Sequence, residues 1–161
     1  MNTNLNSSGY AIKTLWGMIK NFKTYHRVIK YMYFDLKSEH LTIIGQGPLK
    51  EQLTKVQHDN TVHFLDWSFG PELVALIKAH RLIVLPSLEE SFGNTMLETL
   101  ALGQPLITTN KGSLPEVLKE WGHKLDIITP ESIQGAIGTF LSEELNVAHL
   151  KQQAQWVEDT Y

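Results

Sequence analysis

From about Tyr10 onward, short apolar runs alternate with longer segments whose apolar residues recur at helical spacing. The runs Ala11–Trp16, Leu41–Ile44, Val62–Leu65, Leu82–Leu85, Leu106–Thr109 and Asp126–Ile128 read as strands. The segments Phe22–Phe34, Leu49–Gln57, Pro71–Ala79, Thr95–Leu102, Pro115–Glu120, Pro130–Leu141 and Val147–Thr160 read as helices. "PEL", "LPEVL" and "TPESI" place proline just inside a helix start with glutamate in the first turn, where the helix dipole favours it. "LTII" and "LIVL" are apolar at consecutive positions, as strands covered on both faces must be. A strand-then-helix rhythm with such strands predicts an α/β domain of three layers around a parallel sheet of about six strands.

Composition narrows this picture. A chain of 161 residues suits one domain, expected over 10–161, after a polar lead at 1–9 that reads as disordered and lacks the pattern of a signal peptide. No apolar segment approaches the ~18 residues that would suggest a membrane span. With 14 basic against 17 acidic residues the net charge of -3 gives no electrostatic case for nucleic acid. The absence of cysteine excludes disulfides and thiolate chemistry and favours a reducing, cytoplasmic setting. The seven histidines are scattered, with no pair at ligand spacing, so no metal site is expected. The aromatic group "YHRVIKYMYF" reads as a helix face packed on the sheet rather than a stacking platform.

In sheets of this kind ligands bind beyond the carboxyl ends of the strands. Two loops occupy such places, "GQGP" at Gly45–Pro48 and "EESFGN" after "LIVLPS". The second continues as "TMLETLALGQPL", so that Glu90 and Glu98 flank a glycine turn that feeds a helix. Thr95-Met-Leu-Glu98 fits a capping box, which would account for Glu98 without a ligand. Glu90 can be read as a solvated loop carboxylate. The functional alternative joins them: Gly93 lets a ligand approach the backbone, and the amides of Asn94 to Leu97 with the helix dipole favour a phosphate. Carboxylates beside a phosphate site need something other than phosphate to face, and paired hydroxyls fit them. A ligand with sugar, diphosphate and a second sugar in a row is a nucleotide sugar.

The whole stretch "PSLEESFGNTMLETLALGQPLITTNKGSLPEVL", Pro86 to Leu118, resembles the signature of GT-B retaining glycosyltransferases of family 4. Glu90, Phe92, Gly93, Glu98, Ala101, Gly103, Pro105, Gly112, Pro115 and Glu116 match its fixed positions, and "LTIIGQGP" and "VHFLDW" resemble two further elements. The resemblance implies the donor-binding C-terminal half of such an enzyme, from about Leu41 to Leu141. It implies that Glu90 contacts hydroxyls of the transferred sugar and stabilises charge near the anomeric carbon. It implies that Ser91, Phe92, Gly93 and Asn94 line the sugar and diphosphate, that Thr95, Met96 and Leu97 offer backbone amides to phosphate, and that Glu98 holds the ribose. Asp66, Trp67 and Ser68 would flank the nucleobase, and Gly45 and Gly47 would permit close approach.

The departures concern the diphosphate. Where the family carries an arginine and a lysine ahead of its first helix, this chain has "WGMIKNF", with Met18 near the arginine's place and Lys20 as the candidate lysine. Lys23 and Lys111 are further candidate cations, and Asp66 replaces a glycine. The resemblance implies an NDP-sugar donor without a cofactor or a required metal, and a hexose passed to a glycan or lipid-linked acceptor. That acceptor would sit on an N-terminal half that is absent here, so the isolated domain is expected to be inactive, and a lipid-linked acceptor is compatible with peripheral membrane association of the full enzyme. The alternative is a non-catalytic nucleotide-sugar module that activates a separate transferase subunit. The segment "QQAQWVED" resembles the tail that crosses back to the other half in such enzymes, and Trp156 is expected either to pack on its own domain or to await that partner.

Overall fold

Only residues 36–39 lie between the strands Tyr31–Asp35 (β1) and His40–Ile44 (β2), far too few for a parallel crossover, which needs a dozen or more. The two strands therefore run antiparallel, and the sheet has one strand against its grain. The computed structural model describes residues 31–35, 40–46, 51, 62–87 and 90–161. The remaining elements among these are Val62–Leu65 (β3), Gly70–Ala79 (α1), Leu82–Leu85 (β4), Asn94–Ala101 (α2), Leu106–Thr109 (β5), Leu114–Leu118 (α3), His123–Leu125 (β6), Pro130–Ser142 (α4) and Val147–Thr160 (α5). The described strands form one six-stranded sheet in the order β3-β2-β1-β4-β5-β6. β1 is antiparallel to both β2 and β4, while β2 pairs β3, β4 pairs β5 and β5 pairs β6 in parallel. All the strands except β1 thus point the same way.

Both faces are covered. Successive strand residues project to opposite sides. Leu82 and Val84 accordingly join one core with Leu41, Ile43, Ile107 and the α4 residues Ile133 and Ile137, whereas Ile83 and Leu85 join the other. That second core holds Ile77 of α1, Met96 and Leu100 of α2, Leu114 and Leu118 of α3, and Val157 of α5. This division explains why "LIVL" carries no polar position. His80, just past α1, serves the fold: its Nδ1 donates to the Leu76 carbonyl at 2.7 Å, and Nε2 meets the hydroxyl of Thr42 on β2 at 3.0 Å. The ring thereby ties the helix end to the sheet.

Three expectations need correction. Phe22–Phe34 is expected to be helical, yet Tyr31–Asp35 is a strand in the middle of the sheet; four large residues in a row, "YMYF", suit a strand by their aromatic and extended preference. The uniform parallel direction fails at that same strand. The last strand is His123–Leu125 rather than Asp126–Ile128. β6 is an edge strand, for which charge is normal, and Asp126 instead accepts a hydrogen bond from the Asn110 amide at 2.6 Å just beyond the ladder. Ile127 is 70% exposed and Ile128 packs on the first core. The expected strand Ala11–Trp16 lies outside the described residues, as does the expected helix Leu49–Gln57 apart from Glu51, which is helical. Among the described residues no helix is long and apolar enough to cross a membrane.

α3 ends on Lys119 at φ 47° and ψ -120°, a conformation that suits glycine and strains a side chain. Lys119→Gly should raise the unfolding free energy by about 1 kcal/mol, the released strain exceeding the added chain entropy of glycine. Urea denaturation measures it, and an unchanged or lower midpoint would show that the backbone there is unstrained.

Candidate functional site

Because β2, β3, β4 and β5 share one direction, their exits lie along one edge of the sheet. Gly45 leaves β2, Asp66-Trp67-Ser68 leaves β3, Ser87 leads to the Glu90–Gly93 turn after β4, and Asn110-Lys111-Gly112-Ser113 follows β5. The β4 turn and the start of α2 enclose a cleft of about 160 Å³ lined by Ser87, Glu90, Ser91, Phe92, Gly93 and Asn94, with Leu85, Thr95 and Met96 behind them.

Gly93 is the pivot. It caps α2 at φ 86° and ψ 40°, in the left-handed region, and an added Cβ would stand 2.7 Å from Leu114 Cδ2 and 3.0 Å from Met96 Sδ. The loop can therefore turn sharply into the helix at Gly93, bringing the helix N-terminus close against the cleft. A helix N-terminus carries partial positive charge and unspent amides, which is what an anion needs.

Side-chain hydroxyls from β5 and the loop after it hold the turn. Thr108 Oγ1 donates to the Leu85 carbonyl at 2.9 Å, and Thr109 Oγ1 to that of Ser87 at 2.5 Å. Ser113 Oγ lies 2.6 Å from the Ser91 carbonyl and 3.3 Å from that of Glu90. Gly112, at φ 59°, lets this loop press close: a Cβ there would meet the Glu90 carbonyl oxygen at 2.9 Å. None of these contacts uses the Glu90 carboxylate, which is half-buried beside Gly93.

The expected site residues distribute as follows. Glu90, Ser91, Phe92, Gly93, Asn94 and Thr95 come together at the cleft. Glu98 lies one turn beyond Asn94 on the same helix face and is exposed. The capping box does not form: Gly93 is the cap residue and no side chain caps it, so Thr95 and Glu98 sit two residues too far along for the reciprocal bonds. The phosphate donors expected from Met96 and Leu97 also need correction, because both amides already bond the Gly93 carbonyl, at 2.9 and 3.1 Å, and both side chains are core. Among the described residues the Asn94 amide, ahead of those two, makes no hydrogen bond.

Farther along the edge, the Gly45 amide donates to the Leu65 carbonyl at 3.1 Å, joining the β2 and β3 exits. Ser68 is buried, Asp66 is exposed, and Trp67 stacks on Phe69, which is 73% exposed. Lys20 and Gly47, with Met18 and Lys23, lie outside the described residues. Lys111 is exposed and is the one cationic side chain among the described residues of these exit loops. Trp156 packs on its own domain, against the second core and within 5.9 Å of the Trp121 ring centroid. Among the described residues no group of histidine, aspartate and glutamate is placed to hold a metal ion. Sequence reasoning missed the hydroxyl clamp, although "TTNKGS" at the end of a buried strand is unusually rich in hydroxyls for a core-facing segment.

Residues 13–143 match the sequence profile of the family described as "Glycosyl transferases group 1". An uncharacterized glycosyltransferase of Methanocaldococcus jannaschii is 28% identical over 135 residues, covering 74% of this chain and 34% of that protein. The MMP alpha-(1->4)-mannosyltransferase of Mycolicibacterium hassiacum is 29% identical over 87 residues, 54% of this chain and 21% of its own length. The D-inositol 3-phosphate glycosyltransferase of Corynebacterium glutamicum is 33% identical over 88 residues, 53% of this chain and 21% of its own. The chain thus spans about a fifth to a third of the length of these relatives.

The clamp is testable without a ligand. Gly112→Ala forces a methyl group against the Glu90 carbonyl at a backbone angle that resists it, and should destabilise the fold by about 1–3 kcal/mol in urea denaturation. Ser113→Ala removes the hydroxyl alone and should lower stability by about 1 kcal/mol while shifting the Glu90–Asn94 amide resonances. If those resonances stay unmoved, Ser113 does not hold the turn.

Proposed function

The chain belongs to the group 1 glycosyltransferases, and from that membership we propose that the β4–α2 turn binds a nucleoside diphosphate sugar, the donor of a hexose in retaining transfer to a glycan or lipid-linked acceptor. The observation that carries the reading is the placement of two carboxylates, Glu90 and Glu98, on either side of a glycine-capped helix N-terminus. Phosphate lies against the Asn94 amide at the start of α2, where the dipole is most favourable. Glu90 takes hydroxyls of the transferred sugar. Glu98, exposed and one turn along the same face, takes the ribose hydroxyls, and the Asp66–Ser68 exit flanks the base. The mannosyl- and D-inositol 3-phosphate glycosyltransferases among the relatives support transfer of a sugar unit to a hydroxyl-bearing acceptor.

In the transfer step the bond between the anomeric carbon and the diphosphate oxygen breaks, and its electron pair leaves with the diphosphate. The acceptor hydroxyl forms the new bond on the same face of the sugar and gives its proton to the departing phosphate oxygen. Two charges need stabilising at that moment, positive at the sugar ring and negative on the leaving group. Glu90 answers the first. The helix N-terminus, Lys111 and Lys20 answer the second without a metal ion. A second, N-terminal half set against this edge would hold the acceptor, so this domain alone binds donor without transferring it. A cytoplasmic enzyme with access to cytoplasmic nucleotide sugars fits this reading.

Calorimetric titration with UDP, GDP, ADP and their hexose conjugates, with and without magnesium, tests it. One base should bind, equally well without the metal. Glu98→Ala should weaken binding at least about tenfold, the scale of a lost charge-assisted hydrogen bond, with unfolding unchanged to within about 0.5 kcal/mol because the side chain caps nothing. In the full-length enzyme Glu90→Gln should abolish transfer. Failure of every nucleotide to bind would overturn the placement of the donor at this turn.

A further inference from the structure

Phe92 lies between Ser91 and Gly93 in the turn, is 44% exposed, and meets the ring of Tyr161 edge-on at 5.8 Å between centroids. Tyr161 follows α5 and is far from Phe92 in the chain, yet it is held at three points. Its amide donates to the Val157 carbonyl at 3.0 Å, its hydroxyl donates to the Val117 carbonyl of α3 at 3.0 Å, and its ring packs edge-on to Trp156 at 5.9 Å. Trp156 in turn lies tilted on Trp121, 5.9 Å away. Tyr161 is thus fixed from behind by a row of rings and by the helix whose leading loop, Gly112-Ser113, already clamps Glu90 and Ser91. Phe92 rests against the free edge of that assembly.

We propose that Tyr161 is a positioning residue for the donor turn. With its hydroxyl anchored on α3, its ring sets the place of Phe92, and Phe92 sets the backbone between the carboxylate of Glu90 and the cap glycine. The serine clamp holds the turn through its carbonyls, and Tyr161 holds it through its one large side chain. The two act from the same helix, α3, so a shift of that helix or of α5 moves the cleft wall. The effect on a nucleoside diphosphate rests on the proposed donor site; the effect on the turn does not.

The test uses the chain with Tyr161→Ala and Tyr161→Phe, followed by hydrogen exchange and by titration with nucleoside diphosphates. An edge-on aromatic pair is worth enough to change a local opening equilibrium about three- to tenfold. Exchange at Met96 and Leu97, whose amides bond the Gly93 carbonyl, should therefore accelerate by about that factor in Tyr161→Ala, with β4 and β5 unchanged. Tyr161→Phe keeps the ring on Trp156 and Phe92 but loses the Val117 bond, and should give an acceleration between those of the unmodified chain and Tyr161→Ala. The dissociation constant for the bound diphosphate should rise and recover in parallel. Phe92→Leu should make Tyr161→Ala nearly silent, since the pair is then already broken. Unchanged exchange in Tyr161→Ala, or a uniform acceleration through β4 and β5, would overturn the proposal. If the unmodified chain binds no nucleoside diphosphate, the donor-site reading fails, and the exchange arm still decides the role of Tyr161.

Discussion

Where a parallel strand leaves its sheet, its carbonyls lose their ladder partners, and those of Leu85, Ser87, Glu90 and Ser91 find new ones in hydroxyls of Thr108, Thr109 and Ser113. An unsatisfied buried carbonyl such as that of Leu85 would cost about 1–3 kcal/mol, so this exchange lets the chain leave the strand against the core. Its consequence is geometric. The Glu90–Gly93 turn is held through its backbone, and the carboxylate of Glu90 and the leading amide of α2 are left out of the clamp. Gly112 and Gly93 serve the same arrangement by absence, each lacking a Cβ where the clamp or the helix needs space.

The carboxylates beside an anion-favouring helix start are less contradictory in three dimensions than along the chain. Helical spacing sets Asn94 and Glu98 on one face, while Met96, Leu97 and Leu100 turn into the core. Acid and amide are therefore separated by a helical turn, about 5 Å, enough for phosphate and hydroxyl groups of one extended ligand to meet different partners. A side chain that capped the helix would have been committed to the backbone. Glycine as the cap leaves Glu98 available.

Several local readings hold because they rest on local physics. The strands Leu41–Ile44, Val62–Leu65, Leu82–Leu85 and Leu106–Thr109 and the helix Val147–Thr160 follow from periodicity and propensity, which act within a few residues. The failures have a common cause. Thr95 and Glu98 satisfy a capping pattern that ignores where the helix begins, and the left-handed Gly93 moves that start. "YMYF" fits either a helix face or a strand until a short connection to the next strand selects the strand. "DII" has the more extended preference than "HKL", but edge pairing with β5 takes the polar segment.

The alternating architecture, the two-sided core and the two carboxylates flanking a glycine turn between Glu90 and Glu98 are legible along the chain, because hydrophobic spacing, glycine and charge are all local properties. The direction of β1, the amides of α2 that are already spent and the way the turn is held come from the packed fold alone. Those depend on contacts between residues far apart in the chain: Ser113 with Ser91, Gly112 with Glu90, and Tyr161 with Phe92. Such pairs leave no spacing to read, since their meeting is set by the packing of whole elements.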